Sequence, residues 1–173
     1  MPAIHVCSLA RIDAIVATSQ ASHLVTLITA GTEVVRPDPI HPDRHLFLAM
    51  HDISEPMQDM TLPSHGHVSD YLAFVEAWDR TQPMVVHCFA GISRSTAAAY
   101  IAACALDPDA DEEDLAQTIR AASPTATPNA RLVALADDVL GRGGRMRTAI
   151  ARIGRGKFAY EGIPFALDIG PRG

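Results

Sequence analysis

Residues 95–106 (STAAAYIAACAL) would form a helix apolar on every face, and this run narrows the possible folds more than any other feature. A helix without a polar face needs cover on all sides, so it belongs at the centre of a domain. It is far short of the roughly 20 apolar residues of a membrane span. Just upstream, 84–87 (MVVH) reads as a buried strand. Residues 3–9 and 23–29 (HLVTLIT) are further extended runs with a helix over 10–20 between them, and 45–51 (HLFLAMH) is a third strand in chain order. Three prolines in 36–43 (RPDPIHPD) exclude helix and central strand there, and 52–64 reads as a long loop. Val68, Tyr71, Leu72, Val75 and Trp78 recur at helical spacing over about three turns. The acids at 111–114 suit the start of a helix running to about 123, with Leu115 and Ile119 inward. Asn129 is placed to cap a further helix carrying Leu132, Leu135, Ala136, Val139 and Leu140. Strands alternating with helices, then a helical second half, imply an α/β fold. The expected core is a mostly parallel sheet of four to five strands flanked by helices. The length of 173 residues suits one domain, 1–173, with 141–173 as a basic C-terminal extension packed on or flanking it.

Charge is unevenly divided. The chain carries −6 in total, with −11 over residues 1–140 and +5 over 141–173. The overall sign argues against nucleic acid or an anionic membrane as partner. The basic residues Arg142, Arg145, Arg147, Arg152, Arg155, Lys157 and Arg172 suit either of two tasks: guiding an anionic substrate, or docking on the acidic remainder. Three cysteines without CxxC spacing indicate neither a disulfide framework nor a zinc site. The start, MPAIHVCSLA, lacks the basic stretch of a secretory signal, so a cytoplasmic setting is expected. Arginine and alanine are abundant against a single lysine, which suggests a GC-rich bacterial source.

The chemistry concentrates at 87–95, HCFAGISRS, where a strand ends, a short loop turns and the apolar helix begins. A loop running into a helix N-terminus directs backbone N–H groups and the helix dipole at one point, which makes an anion cradle. The cradle comprises Phe89, Ala90, Gly91, Ile92, Ser93 and Arg94; Gly91 permits a tight or left-handed turn, and the Arg94 guanidinium can hold two phosphate oxygens. The same amides stabilise negative charge on the Cys88 sulfur. His87 can fix the loop by hydrogen bonding, and the Ser95 hydroxyl is placed to donate to sulfur.

This segment resembles the HCxxGxxRS/T signature of the cysteine-dependent protein tyrosine phosphatase and dual-specificity phosphatase superfamily, through His87, Cys88, Gly91, Arg94 and Ser95. The resemblance implies a dual-specificity-phosphatase-like fold and a phosphomonoester hydrolase that needs neither metal nor cofactor. It also implies that Cys88 forms a phosphocysteine, that the loop and Arg94 bind phosphate, and that Ser95 stabilises the thiolate. The family's general acid stands on a loop before the cysteine; Asp52 is the first choice and Asp59 shares the loop. Asn129 matches a family asparagine that bonds the phosphate loop, or serves only as an N-cap. Expected substrates are phosphotyrosine proteins, then phosphoserine or phosphothreonine proteins, then small phosphate esters. Two other classes are open: a phosphate-binding module without turnover, and a sulfurtransferase or arsenate-handling enzyme of related cysteine-loop design.

Other signals read as structural. The histidines at 41, 45, 51, 65 and 67 lack metal-ligand spacing, and 65–67 read as loop and helix start. Asp137 and Asp138 are adjacent on a helix and read as a solvated face. Cys7 and Cys104 read as small core residues, with a resolving thiol for Cys88 left open. GRGG at 141–144 reads as the end of a helix and the one candidate hinge.

Overall fold

The computed structural model describes residues 2–170. Five strands form one sheet: β1 (Ala3–Ser8), β2 (His23–Ile28), β3 (His45–Ala49), β4 (Met84–Cys88) and β5 (Phe165–Asp168), in the order β3-β2-β4-β1-β5. The first four run parallel, and β5 adds an antiparallel edge on β1. In β4, Met84 and Val86 point to one side and Val85 to the other, following the period of two in a strand.

The helices divide between the faces. Ile12 and Val16 of α1 (Ile12–Ser19) pack with Cys7, Leu24, Ile40 and Val85 on the smaller side. The larger side carries α2 (His65–Ala77), α3 (Arg94–Leu106), α4 (Glu112–Ala122), α5 (Ala130–Leu140) and α6 (Arg145–Ile153). Residues 94–104 of α3 are buried without exception, as its all-round apolar surface predicts. Its alanines allow close approach by neighbours, and the Tyr71 hydroxyl donates to the Ala98 carbonyl at 2.8 Å. Among the described residues no helix is long and apolar enough to cross a membrane.

The C-terminal stretch takes part in the fold. Met146, Ala149 and Ile150 bury the inner stripe of α6 against α4 and α5, and β5 closes the sheet. GRGG is a corner rather than a hinge: Gly141 ends α5 and Gly144 opens α6. Asp137 corrects the solvated-face reading, because it is wholly buried and its carboxylate accepts the Gly144 N–H at 2.7 Å and the Arg147 N–H at 3.1 Å. A side chain at the end of one helix thus supplies the acceptor that the first turn of the next lacks. Asp138 meets Arg147 at 2.7 Å on the surface.

The basic residues mostly dock on the acidic remainder. Arg142 and Arg145 meet Glu112 at 2.8 and 3.1 Å, and Arg152 meets Glu113 at 2.5 Å. Burial pulls the Glu112 carboxyl upward, but bonds from the backbone, Arg142 and Arg145 outweigh it and hold the group below its ordinary range. Arg155 and Lys157 instead line a surface cleft, and Arg172 lies outside the described residues.

Candidate active site

The parallel register brings the carboxyl ends of β1 and β4 together, with Ser8 opposite Cys88. Ligand sites of open α/β sheets lie beyond such ends. Residues 89–93 turn from β4 into α3 there, and four of their carbonyls are pinned by N–H groups from other segments. The N–H of Leu9 bonds the Phe89 carbonyl at 3.1 Å, that of Gly162 bonds Ala90 at 2.9 Å, that of Thr127 bonds Ile92 at 2.9 Å and that of Asn129 bonds Ser93 at 3.1 Å. Within the loop, Gly91 donates its N–H to Cys88 Sγ at 3.3 Å. Gly91 has φ +73°, and a Cβ there would stand 2.8 Å from the backbone of Cys7 and Ser8, so only glycine lets the loop sit this close to β1.

Cys88 Sγ is almost wholly buried and lies 3.1 Å from Ser95 Oγ in the first turn of α3. Arg94, also buried, donates from Nη1 to the Met50 carbonyl at 2.8 Å, just past β3. Its Nε is buried without a partner among the described residues. Such an unmatched donor costs about 1–3 kcal/mol, so the fold retains it against its own stability.

His87 continues inward on the smaller face. The Cys88 carbonyl can only accept, so His87 Nδ1–H donates to it at 3.1 Å, and Nε2 accepts from the Thr26 hydroxyl at 2.7 Å. Thr26 Oγ1 in turn accepts from His45 Nε2 at 2.8 Å. Burial pushes His87 down to about 4; the bond to the Cys88 carbonyl opposes this and the charges of His45 and Arg94 reinforce it. The ring is therefore neutral near pH 7, as the one-directional chain of donors requires. Thr26 and His45 went unrecognised in the sequence because a threonine in an apolar strand reads as a β-former.

Asp52 and Asn129 meet at the mouth. Asp52 Oδ1 accepts from Ser93 Oγ at 2.7 Å and from Asn129 Nδ2 at 2.9 Å. Asp59 stands exposed at φ +59° in the same loop, and no hydrogen bond ties it to the phosphate-type loop among the described residues. Asn129 combines its two expected tasks in altered form. Its Oδ1 caps α5 by accepting the Leu132 N–H at 3.0 Å, its backbone N–H holds Ser93, and its Nδ2 reaches Asp52 and the Ile53 carbonyl rather than the loop. A cleft of about 400 Å³ opens here, lined by Asp52, Ser93, Thr127, Asn129, Arg155 and Lys157 among others.

The expected core cysteines are buried and free, and burial pushes both the Cys7 and Cys104 thiols up to about 12. The histidines serve local structure: His67 forms a capping box with Ser64 at the start of α2, and His51 Nδ1 accepts the Thr61 N–H at 2.8 Å.

Residues 41–106, which span Asp52 and the whole HCFAGISRS segment, match the family model described as "Polymorphic toxin system, DSP-PTPase phosphatase". Over that stretch the chain is similar to dual-specificity phosphatases. The fold of the whole chain is similar to solved structures of that group. DUSP15 superposes with a TM-score of 0.64 at 18% identity, over 93% of this chain and 96% of its own. Human DUSP28 gives 0.59 at 17% identity, over 87% and 95%, and the Yvh1 phosphatase domain from Chaetomium thermophilum gives 0.57 at 18%, over 83% and 93%. Comparison with curated proteins by sequence gives no match.

Proposed function

We propose that the protein is a phosphatase of the dual-specificity type that works through a phosphocysteine intermediate, without metal, on phosphorylated proteins: phosphotyrosine first, then phosphoserine or phosphothreonine, then small esters. Cys88 Sγ attacks phosphorus, and the S–P bond forms as the ester P–O bond breaks. The loop N–H groups and Arg94 hold the phosphoryl oxygens, where preorganised donors lower the barrier most. Asp52 protonates the leaving oxygen. Ser93 and Asn129 both donate to Oδ1, which leaves Oδ2 to carry that proton. Water then attacks the phosphocysteine, Asp52 takes its proton, and sulfur departs as a thiolate that accepts from Ser95. Inorganic phosphate is released.

One observation carries this reading: Arg94 Nε, buried and unmatched, stands in the first turn of the helix, next in sequence to Ser95, whose hydroxyl meets a sulfur that also receives the Gly91 N–H. Two other arginines, Arg80 and Arg120, also bury an unmatched Nε, but neither adjoins a nucleophile. The test is hydrolysis of p-nitrophenyl phosphate with a chelator present. Chelator-resistant turnover that is lost in Cys88→Ser supports the mechanism, and turnover retained by Cys88→Ser contradicts it. Asp52→Ala is expected to lose about a hundredfold or more on an unactivated ester and much less on the activated one.

A further inference from the structure

The segment 154–164 has no regular secondary structure, yet it is held against the site along its length. Arg120 grips its start by donating to the Ile153 and Gly154 carbonyls at 2.7 and 2.8 Å. Gly156 donates its N–H to Thr127 Oγ1 at 3.1 Å, and Lys157 donates its own to the Pro124 carbonyl at 2.9 Å. Further on, Glu161 accepts from Ser8 Oγ at 2.6 Å, and the Gly162 N–H bonds Ala90 of the loop. A Cβ on Gly162 would stand 2.6 Å from the Gly91 carbonyl oxygen, so this strap touches the phosphate loop directly.

Between these anchors Arg155, Lys157 and Phe158 line the cleft that also holds Asp52 and Ser93. Other basic residues of the C-terminal stretch, Arg142, Arg145, Arg147 and Arg152, are each in an ion pair, whereas the side chains of Arg155 and Lys157 have no hydrogen-bond or ion-pair partner among the described residues. Two free cations on a pinned backbone, beside a site that takes one anion, make a place for a second. The surrounding rim is broad, open and aromatic: Phe158 and Tyr160 pack edge to face at 5.1 Å and are 81% and 89% exposed, and Phe89 is exposed on the loop itself. Such a rim suits a polypeptide better than a small ester enclosed in a slot.

We propose that the strap is a second anion subsite, in which Arg155 and Lys157 bind an acidic side chain flanking the phosphorylated residue of a protein substrate. This rests on the phosphatase reading above. The phosphate loop binds the scissile group, and the strap selects among phosphoproteins by the charge next to it.

The test compares kcat/KM on a phosphotyrosine peptide flanked by Asp, on its Asn counterpart, and on propanediol bisphosphate against its monophosphate. Exposed charge pairs are weak, so a preference for the Asp peptide of about fivefold is expected. It should vanish in an Arg155→Ala, Lys157→Ala double variant and be screened out in about 0.5 M salt. No preference in the wild type, or a preference that survives the double variant, overturns the proposal. A charge preference confined to the bisphosphate also overturns it and assigns the strap to small molecules. If wild type hydrolyses none of these esters, the phosphatase reading fails, and the Asp and Asn peptides are then compared by calorimetric binding. An affinity difference lost in the double variant still supports the strap, and equal affinities overturn it.

Discussion

Two arginines stand at opposite ends of α3, equally buried and differently employed. Arg94, at the N-terminal end, is 7% exposed, donates one bond to a carbonyl and keeps Nε unmatched. Arg142, at the C-terminal end, is 6% exposed and engaged through both Nη1 and Nη2. It bonds Glu112 and the carbonyls of Cys104, Asp107 and Ala110, so it closes the carbonyl end of the helix with a positive charge. One end of the helix is completed by the protein itself. At the other, positive potential is concentrated and left partly unsatisfied, which is a cost to stability and the condition for holding an anion. Burial alone does not distinguish the two; the count of satisfied donors does.

Exchanging the arginines' surroundings should separate activity from stability. Arg94→Met is expected to lower kcat/KM on p-nitrophenyl phosphate by about a thousandfold or more, while denaturant unfolding shows stability unchanged or slightly raised. A large fall in stability would place Arg94 with Arg142 as a structural residue. Arg142→Met should do the reverse, leaving Glu112 buried without its main partner and lowering stability by about 3–5 kcal/mol, with activity per folded molecule retained.

His87, behind the loop, sharpens the contrast through pH. Its folded value, near 4, lies below the ordinary 6.5, so the unfolded chain binds a proton between these limits that the folded chain refuses. Stability from this group is present above about 6.5 and is lost as pH falls toward 4, by about 3 kcal/mol at most. His87→Gln should flatten the wild-type slope of unfolding free energy in that window, and an unaltered slope would contradict the assignment.

The smallest effect is expected at Asn129. Asn129→Asp keeps the cap of α5 but removes the donor to Asp52 and brings a like charge to it, so kcat should fall about tenfold with stability within about 1 kcal/mol of wild type. Asn129→Ala should lose a further 1 kcal/mol or so of stability through the cap. Equal rates in all three proteins would remove Asn129 from the positioning of Asp52.

Legibility followed sequence distance. The central helix, four strands and the HCFAGISRS cradle were readable because each is set by a local pattern of apolar residues or by neighbouring groups in one loop. The strand β5 was not, since four residues of which only Leu167 is buried leave no periodic signal. The helix α6 was readable in principle from Met146, Ala149 and Ile150 at helical spacing, but its arginines drew attention to charge instead. The partners of Asp52, Thr26 and Asp137 depend on approaches between distant segments or on a helix corner. No spacing in the chain announces these. The strap's contact with the loop, through Gly162 and Ala90, belongs to the same class.

The most direct test of the central claim is capture of the covalent intermediate. Ser95→Ala should slow departure of sulfur more than its phosphorylation, so acid quenching during turnover of p-nitrophenyl phosphate should trap a phosphoryl group. Peptide mass spectrometry is predicted to find that added mass on the fragment containing Cys88, and to lose it when Cys88→Ser is added. Turnover with no phosphorylated fragment, or phosphoryl transfer to another residue, would contradict the account.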